Sequence, residues 1–339
     1  MVKVAVVGLG FMGKMHLGIY LNKLKNVEVV AVCDGNKEAL NIKNLESRGN
    51  IKTSGKAIDL SKVKKYSDYD AMLKDGGFDF VDICLPTFLH RDASIKALEA
   101  GYHIFCEKPL ALTLKEGEAI ANKVRETGKL FSIGQCLRYW PAYSEVKKLI
   151  DTGKYGRVRY AEFARFSMTP SWAWKGWVLD EKRSGNAALD LHIHDVDMVL
   201  YLFGKPESVK SAGVFVKNNS ISHITTMYKY PDKVVSSTGG WICSKSFGFN
   251  MRAFYILEKA TIELDFSKEP VVAVYPDESD KYALPFPEGD GYYYELKDFT
   301  ANVANGKLSG IVTVDTALES LNVCLAEIKS AKLKKEIIF

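Results

Sequence analysis

The sequence predicts an α/β protein of two domains: a doubly wound parallel sheet, then an α+β domain with a large open, mainly antiparallel sheet. The chain has 339 residues, which is more than one hydrophobic core usually holds. Residues 1–135 alternate short apolar runs with helical patterns, as expected of a parallel sheet covered on both faces. In residues 136–339, strand-like runs separated by turn signals such as YPDK indicate an antiparallel sheet.

The elements of the first domain follow from these patterns in order. Continuous apolar runs predict buried strands at residues 3–8, 27–34, 78–86, 102–107 and 129–134. Helical spacing of apolar residues predicts helices at residues 12–24, 90–101 and 113–128. Residues 41–66 are long and lysine-rich for a connection, so we expect the end of a helix and a surface insertion there.

The second domain begins with a different pattern. The pattern there predicts a helix at residues 142–153 and an alternating strand at residues 157–168. An aromatic loop follows at residues 171–177, and a further helical stretch at residues 187–203. Several strands follow between residues 209 and 275. Two helices, near residues 292–305 and 315–334, close the chain.

Composition and charge argue against several classes of protein. The 46 Lys and Arg against 41 Asp and Glu give a net charge of +5 without a dominant run of like charge, so neither nucleic acid nor a membrane surface is an expected partner. No segment approaches the ~20 apolar residues of a membrane-spanning helix, and the N-terminal apolar run ends too early for a signal peptide. Six single cysteines without a CxxC pair favour reduced thiols in the cytoplasm over disulfides or a metal site.

A glycine-rich turn, GLGFMG, lies directly between the first predicted strand and the first predicted helix. Gly8, Gly10 and Gly13 form a GxGxxG pattern around Phe11 and Met12. The first glycine permits the tight turn, the second lets a pyrophosphate approach the backbone, and the third allows helix and strand to pack closely. In this strand–turn–helix context the pattern predicts a dinucleotide-binding Rossmann domain.

Asp34, at the end of the second predicted strand, indicates which dinucleotide binds. It lies 21 positions after Gly13, near the ~20 expected of a carboxylate that accepts a hydrogen bond from the adenosine ribose. A carboxylate repels a 2′-phosphate, and the next residues, Gly35, Asn36 and Lys37, include no arginine. NAD is therefore the predicted cofactor, with NADP disfavoured.

Three further motifs combine with the glycine turn: CLPTFLH at residues 84–90, CEKP at residues 106–109 and LDLHIHDVD at residues 189–197. Together they resemble the glucose–fructose oxidoreductase/inositol dehydrogenase (Gfo/Idh/MocA) family over essentially the whole chain. The resemblance implies a two-domain NAD(P)-dependent enzyme that oxidises a hydroxyl, or reduces a ketone, on sugars, cyclitols and their derivatives. The alternatives are an NAD-dependent glycoside hydrolase of the same scaffold and a non-catalytic nucleotide-binding regulator.

The resemblance also assigns roles to individual residues. Lys108 matches the lysine of the EKP motif, and Asp190 and His194 match the second-domain D-x-x-x-H element; all three are expected in catalysis and at the substrate. The resemblance also places Lys108 close to the nicotinamide, and it implies further cofactor contacts for Pro86, Thr87, His90, Glu107 and Gln135. The family's antiparallel sheet often forms a subunit interface, so a homodimer or homotetramer is expected.

The chemistry of hydride transfer supports these roles independently. A hydroxyl that loses a hydride must also lose its proton, and histidine, with an ordinary pKa near ~6.5, is the natural acceptor. The Lys108 ammonium would stabilise developing alkoxide charge. If residues 190–194 form one helix, Asp190 lies on the face of His194 and can orient it. His192 stands where the family commonly has glycine, and it could compete for the role of base.

Substrate contacts are expected from two further segments. Trp172, Trp174 and Trp177 lie within the aromatic loop, where tryptophan faces can stack on sugar rings. The same loop could instead pack against another subunit or close the domain interface. Arg138 and Tyr139, just after the last strand of the first domain, could reach a polar or anionic substrate.

Overall fold

The structure is a computed structural model that describes residues 1–42, 45, 57–216 and 220–339. The chain divides into two compact units. The first unit consists of Met1–Gln135, Ser171–Ser184 and Tyr292–Leu321. The second unit consists of Cys136–Pro170, Gly185–Gly291 and Asn322–Phe339. A functional division at residue 135, with cofactor before it and substrate after it, stays a prediction.

The strands and helices follow one another along the described parts of the chain. The strands are β1 (Val2–Val7), β2 (Val27–Cys33), β3 (Lys64–Tyr66), β4 (Phe80–Ile83), β5 (His103–Cys106), β6 (Phe131–Ile133), β7 (Val158–Met168), β8 (Ser208–Val216), β9 (Ser220–Lys229), β10 (Val234–Cys243), β11 (Phe249–Leu257), β12 (Ala260–Asp265), β13 (Val272–Pro276), β14 (Tyr282–Ala283) and β15 (Ile337–Ile338). The helices are α1 (Phe11–Asn22), α2 (Tyr69–Asp75), α3 (His90–Glu99), α4 (Leu114–Thr127), α5 (Pro141–Asp151), α6 (Glu181–Ser184), α7 (Asn186–Asp190), α8 (Ile193–Phe203), α9 (Gly291–Asn305) and α10 (Val314–Leu333). Of these described helices, none is long and apolar enough to cross a membrane.

The first unit contains the predicted doubly wound sheet. Within the described residues its strands are all parallel, in the order β3-β2-β1-β4-β5-β6. This is the strand order of a Rossmann fold, so the prediction is confirmed. In such a sheet ligands bind at the carboxyl ends of the strands where the strand order reverses, which here is the crevice between β1 and β4.

A strand and a short helix are among the elements of the first unit that were not predicted. The 3₁₀ turn Lys37–Asn41 follows β2, and β3 pairs with β2 through Ala31 and Lys64, so part of the expected surface insertion is an edge strand of the sheet. Residues 43–44 and 46–56 of that insertion lie outside the described residues. The short helix α2 also escaped prediction; the Asp68 carboxylate caps it by accepting from the Ala71 amide.

The core of the first unit includes a helix from near the end of the chain. Phe299 of α9 is 1% exposed, and its ring centroid lies 5.3 Å from that of Phe80 and 5.5 Å from that of Phe105. Phe80 and Phe105 point from β4 and β5, so α9 packs on the same layer of apolar side chains as α1. This packing places residues 292–321 in the first unit.

The second unit contains the predicted open sheet. Among the described strands the order is β14-β13-β12-β11-β7-β10-β9-β8-β15, and all neighbours are antiparallel except β7 and β10. The prediction of a mainly antiparallel sheet is therefore confirmed. Helices α7 and α8 pack against its central strands, while the other strand face exposes apolar side chains such as Met227 and Ile256.

Candidate active site

The glycine turn between β1 and α1 is set by two contacts that no larger residue could keep. Gly8 has a φ of +88°, and a Cβ there would lie 2.6 Å from the Cys84 carbonyl oxygen. A Cβ on Gly13 would lie 1.8 Å from the Gly8 carbonyl oxygen. Gly10 differs, because among the described residues, apart from Gly10 and its chain neighbours, no atom lies within 4 Å of the position its Cβ would occupy. The first and third glycines are therefore required by the turn, and the second leaves open space.

The amino end of α1 borders this space. Phe11 and Met12 begin the helix, and its cap residue, Gly10, has no side chain that could accept from the first-turn amides. The first turn also contains no acidic residue. An uncapped helix terminus carries partial positive charge and backbone donors, so the open space over Gly10 fits the pyrophosphate of a dinucleotide.

Asp34 lies just after the carboxyl end of β2 and stabilises the glycine turn by a hydrogen bond. One oxygen of its carboxylate accepts from the Leu9 amide at 2.8 Å, and the other accepts from the Asn36 amide at 2.8 Å. A carboxylate has about four acceptor sites, so these two bonds leave capacity for a ribose hydroxyl. The side chain thus fits the predicted ribose contact and also shapes the loop that would hold the pyrophosphate.

The loop after β4 contributes a buried hydroxyl. Pro86 precedes the 3₁₀ turn Thr87–Leu89, and Thr87 is 2% exposed. Within the described part of the chain, the Thr87 hydroxyl oxygen has no hydrogen-bond partner. A buried hydroxyl without a partner is costly, which suits a side chain that meets a ligand at this edge of the sheet.

His90 has a different environment from the one expected of a cofactor contact. Its Nδ1 lies 2.8 Å from the Pro109 carbonyl oxygen and its Nε2 lies 2.8 Å from the Leu85 carbonyl oxygen. The imidazole therefore ties the loop after β4 to the loop after β5. Burial lowers the pKa of His90. A direct contact between His90 and the cofactor stays a prediction.

The loop after β5 contains the predicted catalytic lysine. Glu107 is 4% exposed, and its Oε2 accepts from the Lys108 backbone amide at 3.1 Å. The other oxygen, Oε1, lies 3.0 Å from where a Cβ on Gly134 would be. Gln135 follows that glycine at the end of β6 and is also buried. The fold thus brings Thr87, Lys108 and Gln135 to one edge of the first sheet, the edge that also contains the glycine turn.

In the second unit, the D-x-x-x-H element is not one continuous helix, so that expectation is wrong. Asp190 ends α7, and His194 is the second residue of α8. The amides of Leu191 and His192 both bond to the Ala187 carbonyl, at 3.1 and 3.0 Å, which closes α7 before α8 begins. Whether Asp190 orients His194 stays a prediction.

His192 is part of an internal network. It is fully buried, and its Nε2 lies 3.0 Å from a Glu327 carboxylate oxygen and 3.2 Å from the Ser237 hydroxyl. The Tyr228 hydroxyl lies 2.6 Å from that of Ser237 and extends the network. An imidazole held this way is a poor competitor for a substrate proton, so His194 remains the predicted base.

Among its described residues, the second unit also contains two buried arginine–aspartate pairs. Arg138 donates from Nε and from a terminal nitrogen to the two oxygens of Asp197, at 2.8 and 2.7 Å. Arg165 pairs with Asp195 in the same bidentate way, at 3.0 Å for both bonds. Arg138 is only 6% exposed, so its predicted substrate contact competes with this pair and stays a prediction, as does that of Tyr139.

The aromatic loop belongs to the first unit, next to the loop after β4. Trp174 is 52% exposed, and the Arg183 guanidinium lies 5.6 Å from its ring centroid and 5.0 Å from that of Phe88. Trp172 and Trp177 are partly buried. The predicted stacking on a sugar ring and the alternative of an interface both stay open.

One charged cluster of the first unit was not predicted. It contains His16 of α1, Asp82 of β4 and Glu107, all buried. The sequence held a weak signal, since His16 and Asp82 interrupt otherwise apolar helical and strand patterns.

Known proteins match the chain at the level of sequence and of fold. Residues 2–135 match the family described as "Oxidoreductase family, NAD-binding Rossmann fold", and residues 143–262 match the "GFO/IDH/MocA C-terminal domain". The chain is 28% identical to scyllo-inositol 2-dehydrogenase (NAD(+)) of Bacillus subtilis, over 97% of this chain and 94% of that protein. It is 26% identical to an inositol 2-dehydrogenase of Salmonella typhimurium, over 88% and 84%. A levoglucosan dehydrogenase in complex with NADH and levoglucosan has the same fold, with a TM-score of 0.83, 20% identity and 99% of each chain covered.

Two alanine substitutions separate the roles of the glycines. Gly10→Ala should leave the melting temperature nearly unchanged, because its Cβ enters open space, but should weaken NAD binding by ~10-fold or more. Gly13→Ala should destabilise the unit, since its Cβ cannot coexist with the Gly8 carbonyl. Thermal unfolding and calorimetric NAD titration measure both effects. A Gly10→Ala protein with unchanged NAD affinity would contradict this account of the turn.

Replacing the Asp34 carboxylate should change cofactor preference. We expect Asp34→Asn to weaken NAD and to lower the ratio of NADP to NAD dissociation constants by ~10-fold, because repulsion of the 2′-phosphate is removed. Glu38→Gln, which neutralises an exposed carboxylate nearby, is the matched control and should leave the ratio unchanged. Titrations with both dinucleotides give the ratio; equal ratios in the wild type and Asp34→Asn would exclude Asp34 as the discriminating group.

Proposed function

The chain belongs to the Gfo/Idh/MocA oxidoreductase family and has its NAD-binding Rossmann domain, and from that premise we propose that it is an NAD-dependent dehydrogenase. Its proposed substrate is a cyclitol, sugar or sugar derivative with a secondary hydroxyl, which it oxidises or whose ketone it reduces. The observation that carries this proposal is the position of Lys108 at the same sheet edge as the glycine turn, beside a buried carboxylate. The similarity to inositol dehydrogenases along most of the chain supports the substrate class.

Bound NAD would supply the hydride acceptor, and the protein would supply its orientation and the proton chemistry. The residues proposed to hold the cofactor are those whose environment fits it: the glycine turn for the pyrophosphate, Asp34 for the ribose, and the Thr87 hydroxyl and Gln135 at the ends of β4 and β6. Their shared edge of the sheet is where a Rossmann domain takes a dinucleotide.

We assign the proton chemistry to Lys108 and His194. The Lys108 ammonium would stabilise the alkoxide that develops as the hydroxyl proton leaves. His194 would accept that proton in the direction of oxidation and return it in the direction of reduction, with Asp190 as its orienting partner. Proposed substrate contacts beyond these three are Arg138, Tyr139, Trp172 and Trp174.

Assembly and location are also proposals. Apolar side chains are exposed on the open face of the second sheet, Met227 and Ile256 among them. They favour a homodimer or homotetramer through that face, and light scattering would measure the molar mass of the assembly. The structure describes all six cysteines and joins none of them in a disulfide, which is consistent with a reducing compartment, so we propose a cytoplasmic location. Detection of the native protein in cell fractions tests the location.

The first test of the function is NADH formation by the purified protein with NAD and a panel of substrates. The panel contains scyllo-inositol, other inositols, levoglucosan, aldoses, amino sugars and uronates. We expect NADH to accumulate with at least one cyclitol or sugar. NAD that stays bound through purification, without NADH formation on any member, would contradict a dehydrogenase and favour a hydrolase that uses NAD transiently.

Removing the lysine separates chemistry from cofactor binding. Lys108→Ala should lower kcat by ~10³-fold or more, because the charge that stabilises the alkoxide is lost, while the NAD dissociation constant stays within a few-fold. Lys115→Ala, an exposed lysine on α4, is the matched control. Steady-state kinetics measures kcat of both variants, and NAD titration measures their dissociation constants. If Lys108→Ala kept wild-type turnover at saturating NAD, Lys108 would have no role in catalysis.

A further inference from the structure

A buried charged cluster lies directly behind the loop that contains Lys108. It consists of the His16 imidazole on α1, the Asp82 carboxylate on β4 and the Glu107 carboxylate after β5. The side chains of His16 and Asp82 are fully buried, and that of Glu107 is 6% exposed. The roles proposed above for the cofactor and the substrate use neither His16 nor Asp82. Their burial therefore calls for a separate explanation.

Both ring nitrogens of His16 face a carboxylate. Nδ1 lies 2.9 Å from Asp82 Oδ2, and Nε2 lies 3.2 Å from Glu107 Oε1. The contact with Asp82 has hydrogen-bond geometry, whereas that with Glu107 is an ion pair without hydrogen-bond alignment. A neutral imidazole has one N–H and would point a lone pair at the other carboxylate, whereas an imidazolium presents an N–H to each. The closeness of a carboxylate to each ring nitrogen therefore favours the charged form.

Three further groups lie around this imidazole. The Cys84 sulfur lies 3.3 Å from Nδ1, the Tyr20 hydroxyl is close to Asp82, and a Glu295 carboxylate oxygen lies within 4.8 Å of the His16 and Glu107 atoms. Burial raises the pKa of the Tyr20 hydroxyl and of the Cys84 thiol, so both stay neutral. Burial also opposes the charge on His16, but the Asp82 and Cys84 contacts outweigh it and hold the pKa of His16 well above its ordinary value.

Glu107 connects this cation to the catalytic loop. Its Oε1 faces His16, while its Oε2 accepts from the Lys108 backbone amide at 3.1 Å. The two oxygens of the Glu107 carboxylate thus contact two different groups, the His16 imidazole and the Lys108 amide. If the charge on His16 were absent, the buried Glu107 carboxylate would lose the cation that lies 3.2 Å from its Oε1, and its orientation would be less fixed.

We propose that His16 is a positioning residue for the dehydrogenase: as a buried imidazolium it holds the Glu107 carboxylate against the Lys108 amide and thereby fixes the direction of the lysine. This inference rests on the proposed function and deepens it. His16 also lies three residues after Gly13, on the helix that the glycine turn begins. One buried cation therefore links the turn, the end of β4 and the end of β5.

A substitution that keeps a donor but removes the charge tests the coupling. His16→Gln should lower kcat by ~100-fold, with the NAD dissociation constant and the substrate KM within about 3-fold, because misplacement of a reacting group costs turnover more than binding. His103→Gln, at the opposite end of β5, is the matched control and should retain wild-type kcat. A parallel fall in NAD affinity, with kcat unchanged at saturation, would reduce His16 to a merely structural role and overturn the proposal.

Two readouts do not depend on turnover, so they separate this inference from the proposed activity. The first is ¹⁵N NMR of histidine-labelled wild-type protein, with the His16 signal assigned by its loss in His16→Gln. Both ring nitrogens should be protonated at pH 7.5; a neutral ring, or one bound to a metal ion that a chelator removes, overturns the proposal.

The second readout is the acetylation rate of Lys108 in the intact protein. This rate should change more than about 3-fold in His16→Gln, while the acetylation rate of Lys115 does not change. An unchanged Lys108 rate would show that the lysine does not depend on His16.

Because the pKa of His16 is raised in the folded protein, the stabilisation that His16 contributes should decrease as pH rises. Protonated His16 stabilises the fold fully below its unfolded-state pKa of ~6.5, and this stabilisation is lost as pH rises towards the higher folded-state pKa. The melting temperature of the wild type should therefore exceed that of His16→Gln most at pH 6, with a smaller difference at pH 9. A difference that grows with pH would contradict a buried imidazolium.

Discussion

The close approach of α1 to the strands is the constraint on which the active edge of the first unit depends. The Gly13 Cα faces the Gly8 carbonyl so closely that a Cβ would lie 1.8 Å from its oxygen. That approach brings His16, one helical turn later, within 2.9 Å of Asp82 on β4 and 3.2 Å of Glu107 after β5. A contact between backbones thus determines where a buried charge lies, and that charge determines the surroundings of Lys108. The loop proposed to hold the cofactor and the loop that contains Lys108 therefore depend on one packing interaction.

Buried ionic groups recur next to the residues to which chemistry is assigned. Asp195, the residue after His194, pairs with Arg165. His192, two residues before His194, faces Glu327. Such pairs contribute little net stability, because desolvation offsets much of the attraction, but removal of one partner costs about 3–5 kcal/mol. Their effect is therefore to allow few alternative positions for the backbone around them. In both units, the segment that contains a predicted catalytic residue is held by charge rather than by apolar packing alone.

Periodicity and spacing predicted the elements that large apolar surfaces stabilise, including the central strands of both sheets. The glycine turn was predictable because its geometry admits only glycine at Gly8 and Gly13. The edge strand β3 was not, since Lys64–Tyr66 is short and polar and, within the sheet, pairs only with β2 among the described strands. The break between α7 and α8 depends on backbone bonds to one carbonyl, which leave no mark in an apolar pattern. Partners such as His16 and Glu107 lie 91 positions apart, so only the fold reveals them.

The account as a whole depends on direct hydride transfer from a substrate carbon to bound nicotinamide. The most direct measurement is mass spectrometry of the cofactor after turnover with an inositol deuterated at its carbinol carbons. We predict that the NADH released carries one deuterium and that the inositol becomes a ketone. Product formed while the cofactor remains unlabelled NAD, or NADH without deuterium, would contradict the account.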